Sequence, residues 1–286
     1  MQLAEAIARR PVVIDGGLAT ELERRGHDLS SRLWSAALIA SDPDAIVAVH
    51  RSFFDAGAEV ATAASYQAPP DAVDLLRRSV SLARQARDAH GSGWVAASVG
   101  PYGAVLADGS EYRGDYGLSV AELRRFHRPR LAMLADAGAD VLAVETLPCL
   151  AEVEAVLSEL DGLDVPAWLS LTCAGDRTRA AEPATDGFAM ARDCNAVFAV
   201  GVNCVEPADV PALIALAVRH SGKPAVGYPN SGERWDGTGW AGRSAFRGGD
   251  AAGWVAAGAR LVGGCCRVGP SEIAALANQV GTARPR

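Results

Sequence analysis

Asp55-Ala-Gly-Ala-Glu-Val60 returns as Asp136-Ala-Gly-Ala-Asp-Val141 and again as Ala256-Ala-Gly-Ala-Arg-Leu261. Each copy reads as a helix that stops at a left-handed glycine and turns into a strand. The three glycines, Gly57, Gly138 and Gly258, lie 81 and 120 residues apart. Those gaps are close to two and three units of roughly 40 residues. Eight short β-like runs share this rhythm: Val12–Ile14, Glu59–Thr62, Trp94–Val99, Val141–Val144, Ala167–Leu171, Val197–Val202, Pro224–Gly227 and Leu261–Gly263. They are nearly continuous in apolar character, which suits parallel strands covered on both faces. Strand–helix units repeated eight times without a linker predict an α/β fold, a single TIM-type (β/α)₈ barrel over residues 1–286. A doubly wound open sheet competes with it, but no Gly-x-Gly-x-x-Gly follows an early strand.

Helical patterns fill the gaps. Ser41-Asp-Pro-Asp44 opens one, with a proline in the first turn and acidic residues near the positive end of the dipole. Its apolar positions Ile46, Val49 and Phe53 share a face. Val73, Leu76, Val80 and Ala83 form another stripe, as do Val153, Val156, Leu157 and Leu160. Ser119 with Glu122 is a capping box, and Asp209 and Ser271 are further N-cap candidates.

Composition bounds the function. The chain has 286 residues, is 49% hydrophobic and carries a formal net charge of −7. Diffuse acidity argues against a nucleic-acid partner. No apolar stretch reaches the length of a membrane span, and the N-terminus lacks the apolar core and cleavage site of a signal peptide. The expectation is a cytoplasmic protein with small-molecule partners. Six cysteines are too few for a disulfide scaffold. In a reducing compartment they read as ligands or nucleophiles.

In a barrel of this type the chemistry sits at the C-terminal ends of the strands. The residues just after each run are Asp15-Gly16-Gly17, Ser65-Tyr66-Gln67, Gly100-Pro-Tyr102, Glu145-Thr146, Cys173, Asn203-Cys204, Pro229-Asn230-Ser231-Gly232 and Cys265-Cys266. Cys204, Cys265 and Cys266 would meet if the sixth and eighth strands converge. Three thiolates suit Zn²⁺ and leave a fourth position open, as in catalytic sites. The gap of 61 residues between Cys204 and Cys265 matches no zinc finger, so the reading depends on the barrel. Buried small hydrophobes are the alternative. Cys173 is a reserve ligand. Cys149 and Cys194 have weaker cases, and no histidine follows a strand.

Asp15 and Glu145 suit a substrate ammonium; an N-cap and a surface charge are the plainer alternatives. The amides of Gly16 and Gly17 at a helix N-terminus could hold a carboxylate. The long loop Tyr102–Gly117 carries Tyr102, Tyr112 and Tyr116 with Asp108, Glu111 and Asp115, which would suit a cationic ligand. A solvated surface excursion is the alternative there.

With these residues in view, the chain resembles the zinc-dependent homocysteine methyltransferases nearly end to end. The resemblance rests on Asp15-Gly-Gly-Leu-Ala-Thr-Glu-Leu-Glu, Leu33-Trp-Ser, Thr62-Ala-Ala-Ser-Tyr-Gln, Ser98-Val-Gly-Pro-Tyr-Gly, Ala107-Asp-Gly-Ser-Glu-Tyr-Arg-Gly-Asp-Tyr, Phe126-His-Arg-Pro-Arg, Glu145-Thr-Leu-Pro, Gly201-Val-Asn-Cys, Tyr228-Pro-Asn-Ser-Gly-Glu and Gly263-Gly-Cys-Cys-Arg. It implies zinc on Cys204, Cys265 and Cys266. It implies Asp15 and Glu145 facing the amino group of homocysteine, with Ser65, Tyr66 and Asn203 nearby. It further implies a sulfonium methyl donor, S-methylmethionine or S-adenosylmethionine, on the side of Tyr102, Glu111, Tyr112, Asp115 and Tyr116. Betaine or a folate as donor, or a barrel that holds zinc without chemistry, are the alternatives. The short segment Trp235–Arg243, rich in Gly and Trp, departs from the family pattern.

Overall fold

The computed structural model describes residues 1–29, 35–235 and 240–281. Leu33 and Trp34 of the Leu33-Trp-Ser motif, and residues 236–239 of the Trp- and Gly-rich segment, lie outside the described residues.

Eight parallel strands form the sheet, each paired with the next in chain order: β1 (Val12–Val13), β2 (Val60–Thr62), β3 (Trp94–Val99), β4 (Val141–Leu147), β5 (Ala167–Leu171), β6 (Val197–Asn203), β7 (Ala225–Tyr228) and β8 (Ala259–Val262). β8 returns to pair with β1. Between β1 and β2 the ring is completed by an Ile14–Val60 bridge, with Asp15 N donating to Val60 O (3.1 Å) and Glu59 N to Val13 O (2.7 Å). This closure removes the open-sheet alternative.

Strand parity divides the core in two. Val12, Ile14, Val60, Ala96, Val141, Ala143, Trp168, Ala199, Val226 and Leu261 fill the barrel interior. Leu3, Ala6 and Ile7 of the N-terminal helix Leu3–Arg9 join that cluster as a plug. The intervening residues, such as Val13, Ala61, Ala97, Leu142 and Val200, pack outward against the helices. Burial of both faces accounts for the nearly continuous apolar runs in the sequence.

The helix boundaries follow local chemistry. Asp42 caps the helix Pro43–Asp55 by accepting from Ala45 N at 3.2 Å. Ser119 and Glu122 close their capping box on Val120–Asp136. Gly57, Gly138 and Gly258 all take positive φ, at 102°, 84° and 115°. Ser271 corrects one expectation: it lies inside the helix Pro270–Gln279, whose cap is Gly269, held by the Glu272 carboxylate. Asp209 precedes Val210–Ser221, but its side chain makes no capping bond. Two short hairpins, Cys173–Ala174 with Arg177–Thr178 and Arg234–Trp235 with Trp240–Ala241, extend the loops after β5 and β7.

Candidate active site at the strand ends

Continuing the inward parity toward the C-terminal ends leads to Thr62, Ser98, Glu145, Ser170, Asn203 and Tyr228. The same register that buries Val and Ala lower down thus builds a polar floor higher up. Above it lies a pocket of about 670 Å³, counting its open mouth. It is lined by Asp15, Tyr66, Tyr112, Glu145, Asn203 and the cysteines 204, 265 and 266, among others.

Two backbone irregularities concentrate side chains there. In β4 the register shifts after Val144, and Thr146 takes φ 64°. Cys204, at the end of β6, takes φ 50°. Strain of this kind holds only where its surroundings enforce it. Its effect is to break the alternation, so that Glu145 with Thr146, and Asn203 with Cys204, line the pocket as consecutive pairs.

The sulfurs of Cys204, Cys265 and Cys266 lie within 4.8 Å of one another, and they form the one candidate metal cluster among the described residues. Their backbone is tied to the end of β7. Cys204 N donates to Tyr228 O (3.3 Å), Cys265 N to Pro229 O (2.7 Å) and Cys266 N to the Asn230 side chain (3.2 Å). Arg267 binds Glu233 at 3.0 Å from the same loop. Hydrogen bonds from Cys265 and Cys266 hold the Cys204 thiol well below its ordinary value, and sharing with Cys204 pushes the other two up. Three sulfurs this close together are the donor set a thiophilic cation takes. Cys173 is buried in its hairpin and stands outside the cluster, as do Cys149 and Cys194.

Two buried carboxylates line the same pocket. Asp15 accepts from Thr62 N (2.7 Å) and Thr62 Oγ1 (2.8 Å); burial pushes it up to about 7. It is therefore not the cap of the next helix, Leu18–Arg24, where Gly17 takes that place. Glu145 is only 7% exposed and accepts from Ser98 Oγ and, at 3.0 Å, from the Tyr228 hydroxyl. Burial pushes Glu145 up to about 7 as well.

Tyr228 accepts from Trp168 Nε1 (3.0 Å) while donating to Glu145, and lies 2.8 Å from Ser170 Oγ, which donates to Asn203 Oδ1 at 2.8 Å. The Asn203 amide is then locked on Thr146, accepting from its N–H and donating to its Oγ1, each at 2.7 Å.

Of the two glycines expected to cradle a carboxylate, Gly17 has its amide engaged elsewhere. Gly17 N donates to Val268 O at 2.9 Å, so that amide is already taken. A Cβ on Gly16 would meet Val268 O at 2.2 Å, and one on Gly17 would meet Cys265 O at 2.5 Å. The absence of a Cβ at both lets the first loop lie against the Cys265–Val268 backbone. Ser65 is fully buried below the pocket, its hydroxyl on Ser98 O (2.7 Å), while Tyr66 reaches the pocket lining.

The loop after β3 splits by residue. Tyr112 lines the pocket, with the Arg179 guanidinium 5.7 Å from its ring centre. Glu111 is buried and pushed up by that burial, and its Oε2 has no hydrogen-bond partner among the described residues. Tyr102 and Tyr116 pack edge-on against each other at 5.3 Å, beneath the loop. Asp115 points to solvent beside Arg113 (3.3 Å).

The family model described as Homocysteine S-methyltransferase matches residues 12–280. The chain belongs to the homocysteine S-methyltransferase family. It is 41% identical over 293 residues to homocysteine S-methyltransferase YbgG of Bacillus subtilis (strain 168), covering 93% of each chain. It is 42% identical over 306 residues to homocysteine S-methyltransferase 4 of Zea mays, covering 94% of this chain and 89% of that one. Among solved structures, the metallated form of the Escherichia coli homocysteine methyltransferase MmuM superposes with a TM-score of 0.87 at 40% identity, covering 97% and 99% of the two chains. Like those family members, this chain is a methyltransferase on a (β/α)₈ frame.

Reading the ends of strands located Asp15, Tyr66, Glu145, Asn203, Cys204, Cys265 and Cys266. It missed Thr62, Ser98, Ser170 and Tyr228, which carry the hydrogen bonds on the carboxylates and Asn203. Those four could have been found by extending the inward parity of each strand to its last residue.

Proposed function

We propose that the protein transfers a methyl group from S-methylmethionine or S-adenosylmethionine to the thiolate of L-homocysteine, giving methionine. The observation that carries this reading is the presence, within one pocket, of a three-sulfur cluster and a pair of buried carboxylates. The first suits a thiol-activating metal and the second an ammonium group, the two ends of homocysteine.

The donor set fits zinc. Zinc–thiolate bonds of about 2.3 Å in a tetrahedron set sulfurs about 3.8 Å apart, and three protein ligands leave a position for substrate; the three sulfurs here lie within 4.8 Å. Zinc held by Cys204, Cys265 and Cys266 supplies Lewis acidity that keeps a thiol ionised near neutral pH.

The chain's own residues do the rest. Asp15 and Glu145 take the amino group; its positive charge offsets the burial that otherwise favours their protonated forms. Tyr228, Ser98 and Thr62 aim the carboxylates, and Asn203 braces Thr146 beside Cys204. A sulfonium is already an excellent leaving group, so the step needs no general acid. Positioning two reactants is worth roughly 7–11 kcal/mol in favourable cases. The donor loses its charge as the methyl moves, so ground-state binding of the sulfonium itself opposes catalysis. Buried Glu111 therefore serves a part of the donor distant from sulfur, such as an ammonium group, and Tyr112 shields the reacting sulfurs.

The test pairs zinc per chain in freshly purified reduced protein with methionine formation from homocysteine and S-methylmethionine, S-adenosylmethionine or betaine. About one zinc per chain and turnover on a sulfonium support the reading. Turnover on betaine alone refutes the donor. Full activity of a metal-free Cys204→Ala protein refutes the zinc.

A further inference from the structure

The motif Phe126-His127-Arg128-Pro129-Arg130 lies in the helix Val120–Asp136, outside the pocket, and the chemistry above gives it no task. Its contacts run to the loops that form the mouth. Arg130, fully buried, donates to Gly100 O (2.7 Å), Ser65 O (2.7 Å) and Tyr66 O (2.5 Å). It thereby ties the loops after β2 and β3 together. His127 faces the other way. Its Nε2 lies 2.8 Å from Glu152 Oε1, and both side chains are 0% exposed.

Glu152, from the helix Leu150–Leu160, holds a third group. The same Oε1 accepts from Tyr102 N at 2.6 Å. Tyr102 opens the short helix Tyr102–Leu106, whose cap residue is Pro101. Proline has no side-chain acceptor, so the first amide of that helix would be buried without a partner. Glu152 supplies one from a different element. Phe126 then packs edge-on against the Tyr102 ring at 5.0 Å.

The position of Tyr102 is passed on directly. Gly103 follows it, and a Cβ there would lie 2.4 Å from Glu111 N and 2.8 Å from the Ser110 carbonyl carbon. The short helix thus rests on the backbone of the turn Ser110–Tyr112, which carries Glu111 and Tyr112 into the donor side. A buried carboxylate facing an imidazole is a costly way to gain stability; well-packed apolar residues do as well or better. It fixes a position that an apolar contact would leave free to slide.

We propose that the buried Glu152–His127 pair positions the methyl-donor side of the site, by fixing Tyr102 and through it the Glu111–Tyr112 turn. The proposal rests on the donor reading above. Glu152 and His127 are positioning residues; neither reaches the pocket lining.

The test compares Glu152→Leu with Glu152→Gln in the zinc-loaded enzyme. Gln keeps an acceptor oxygen for Tyr102 N and His127 Nε2, and Leu keeps neither. Glu152→Leu is expected to raise the donor KM by tenfold or more, with homocysteine KM and zinc content within twofold. Glu152→Gln is expected to stay within about threefold of wild type on the donor. Independently of turnover, trypsin cleavage after Arg113 is expected to accelerate at least tenfold in Glu152→Leu and not in Glu152→Gln. Phe126→Leu keeps Glu152 and His127 but removes the ring packed edge-on against both His127 (4.9 Å) and Tyr102; it serves if Glu152→Leu does not fold, and should give a smaller rise in donor KM alone. Equal effects on both substrates, or unchanged trypsin cleavage in Glu152→Leu and Phe126→Leu, overturn the proposal. Wild-type protein without turnover on any sulfonium refutes the donor reading instead, and the trypsin rates still decide whether the pair anchors the loop.

Discussion

Replacing Asp15 with Asn should make the protein more stable and a worse enzyme, and the size of the first effect follows from the structure. Asp15 is 3% exposed, and burial lifts it from 3.8 to about 7. Keeping it ionised at pH 8 therefore costs the folded state about 4 kcal/mol relative to the unfolded chain. A carboxyl raised on folding favours the folded state at low pH; that advantage is lost as pH rises from the unfolded value through about 7. Asn fits the same contacts: its oxygen accepts from Thr62 N, and its amide donates to Thr62 Oγ1. It carries no charge to desolvate. At about 2–4 °C per kcal/mol, zinc-loaded Asp15→Asn should melt roughly 8–16 °C above wild type at pH 8. The gain should fall to less than half at pH 5, where the wild-type carboxyl is already protonated in the folded state. The cost is functional. Losing a charge-assisted bond to the homocysteine ammonium, worth about 1.5–3 kcal/mol, should lower kcat/KM for homocysteine roughly 10- to 100-fold, mostly through KM, and leave the donor KM near wild type. The assays are calorimetric melting at the two pH values and initial rates with each substrate varied. An Asn protein that melts lower at pH 8, or whose gain is the same at both pH values, would refute the electrostatic reasoning. Equal rises in both KM values would refute the ammonium role.

Three further outcomes are expected. For wild type, kcat/KM for homocysteine should fall as pH drops through about 7, because Asp15 and Glu145 must both be ionised to take the ammonium; a flat profile from pH 8 to pH 6 contradicts this. Gly17→Ala, whose Cβ would sit 2.5 Å from the Cys265 carbonyl, should weaken zinc retention by tenfold or more in chelator competition, with the circular dichroism spectrum unchanged; wild-type retention would show that the first loop can yield. Tyr228→Phe removes the acceptor of Trp168 Nε1 and a partner of Glu145; it should cost about 1–3 kcal/mol in denaturant melts and raise homocysteine KM, with zinc content preserved. Loss of zinc in that variant would mean that Tyr228 serves the cluster rather than the carboxylate.

The sequence by itself determined the barrel, because the repeat at Gly57, Gly138 and Gly258 and the apolar runs are local patterns set by backbone geometry and burial. It also determined which residue types gather at the mouth, since strand ends can be read from where apolar character stops. Other features needed the folded chain. Asp15 receives its bonds from Thr62, 47 positions away; Glu152 holds Tyr102 across 50. Such pairs have no periodicity, because they join side chains whose distance depends on how separate units pack. Strand ends also put Glu145 with Thr146, and Asn203 with Cys204, at the mouth, but not that both members of each pair line the pocket. That depends on single residues turned to positive φ at the ends of β4 and β6, which only the surrounding contacts impose. The same holds for the loop after β3. Its tyrosines look alike in sequence, yet Tyr112 lines the pocket while Tyr102 and Tyr116 pack on each other outside that lining, with Tyr102 held by contacts to Glu152 and Phe126 that lie far from it in sequence.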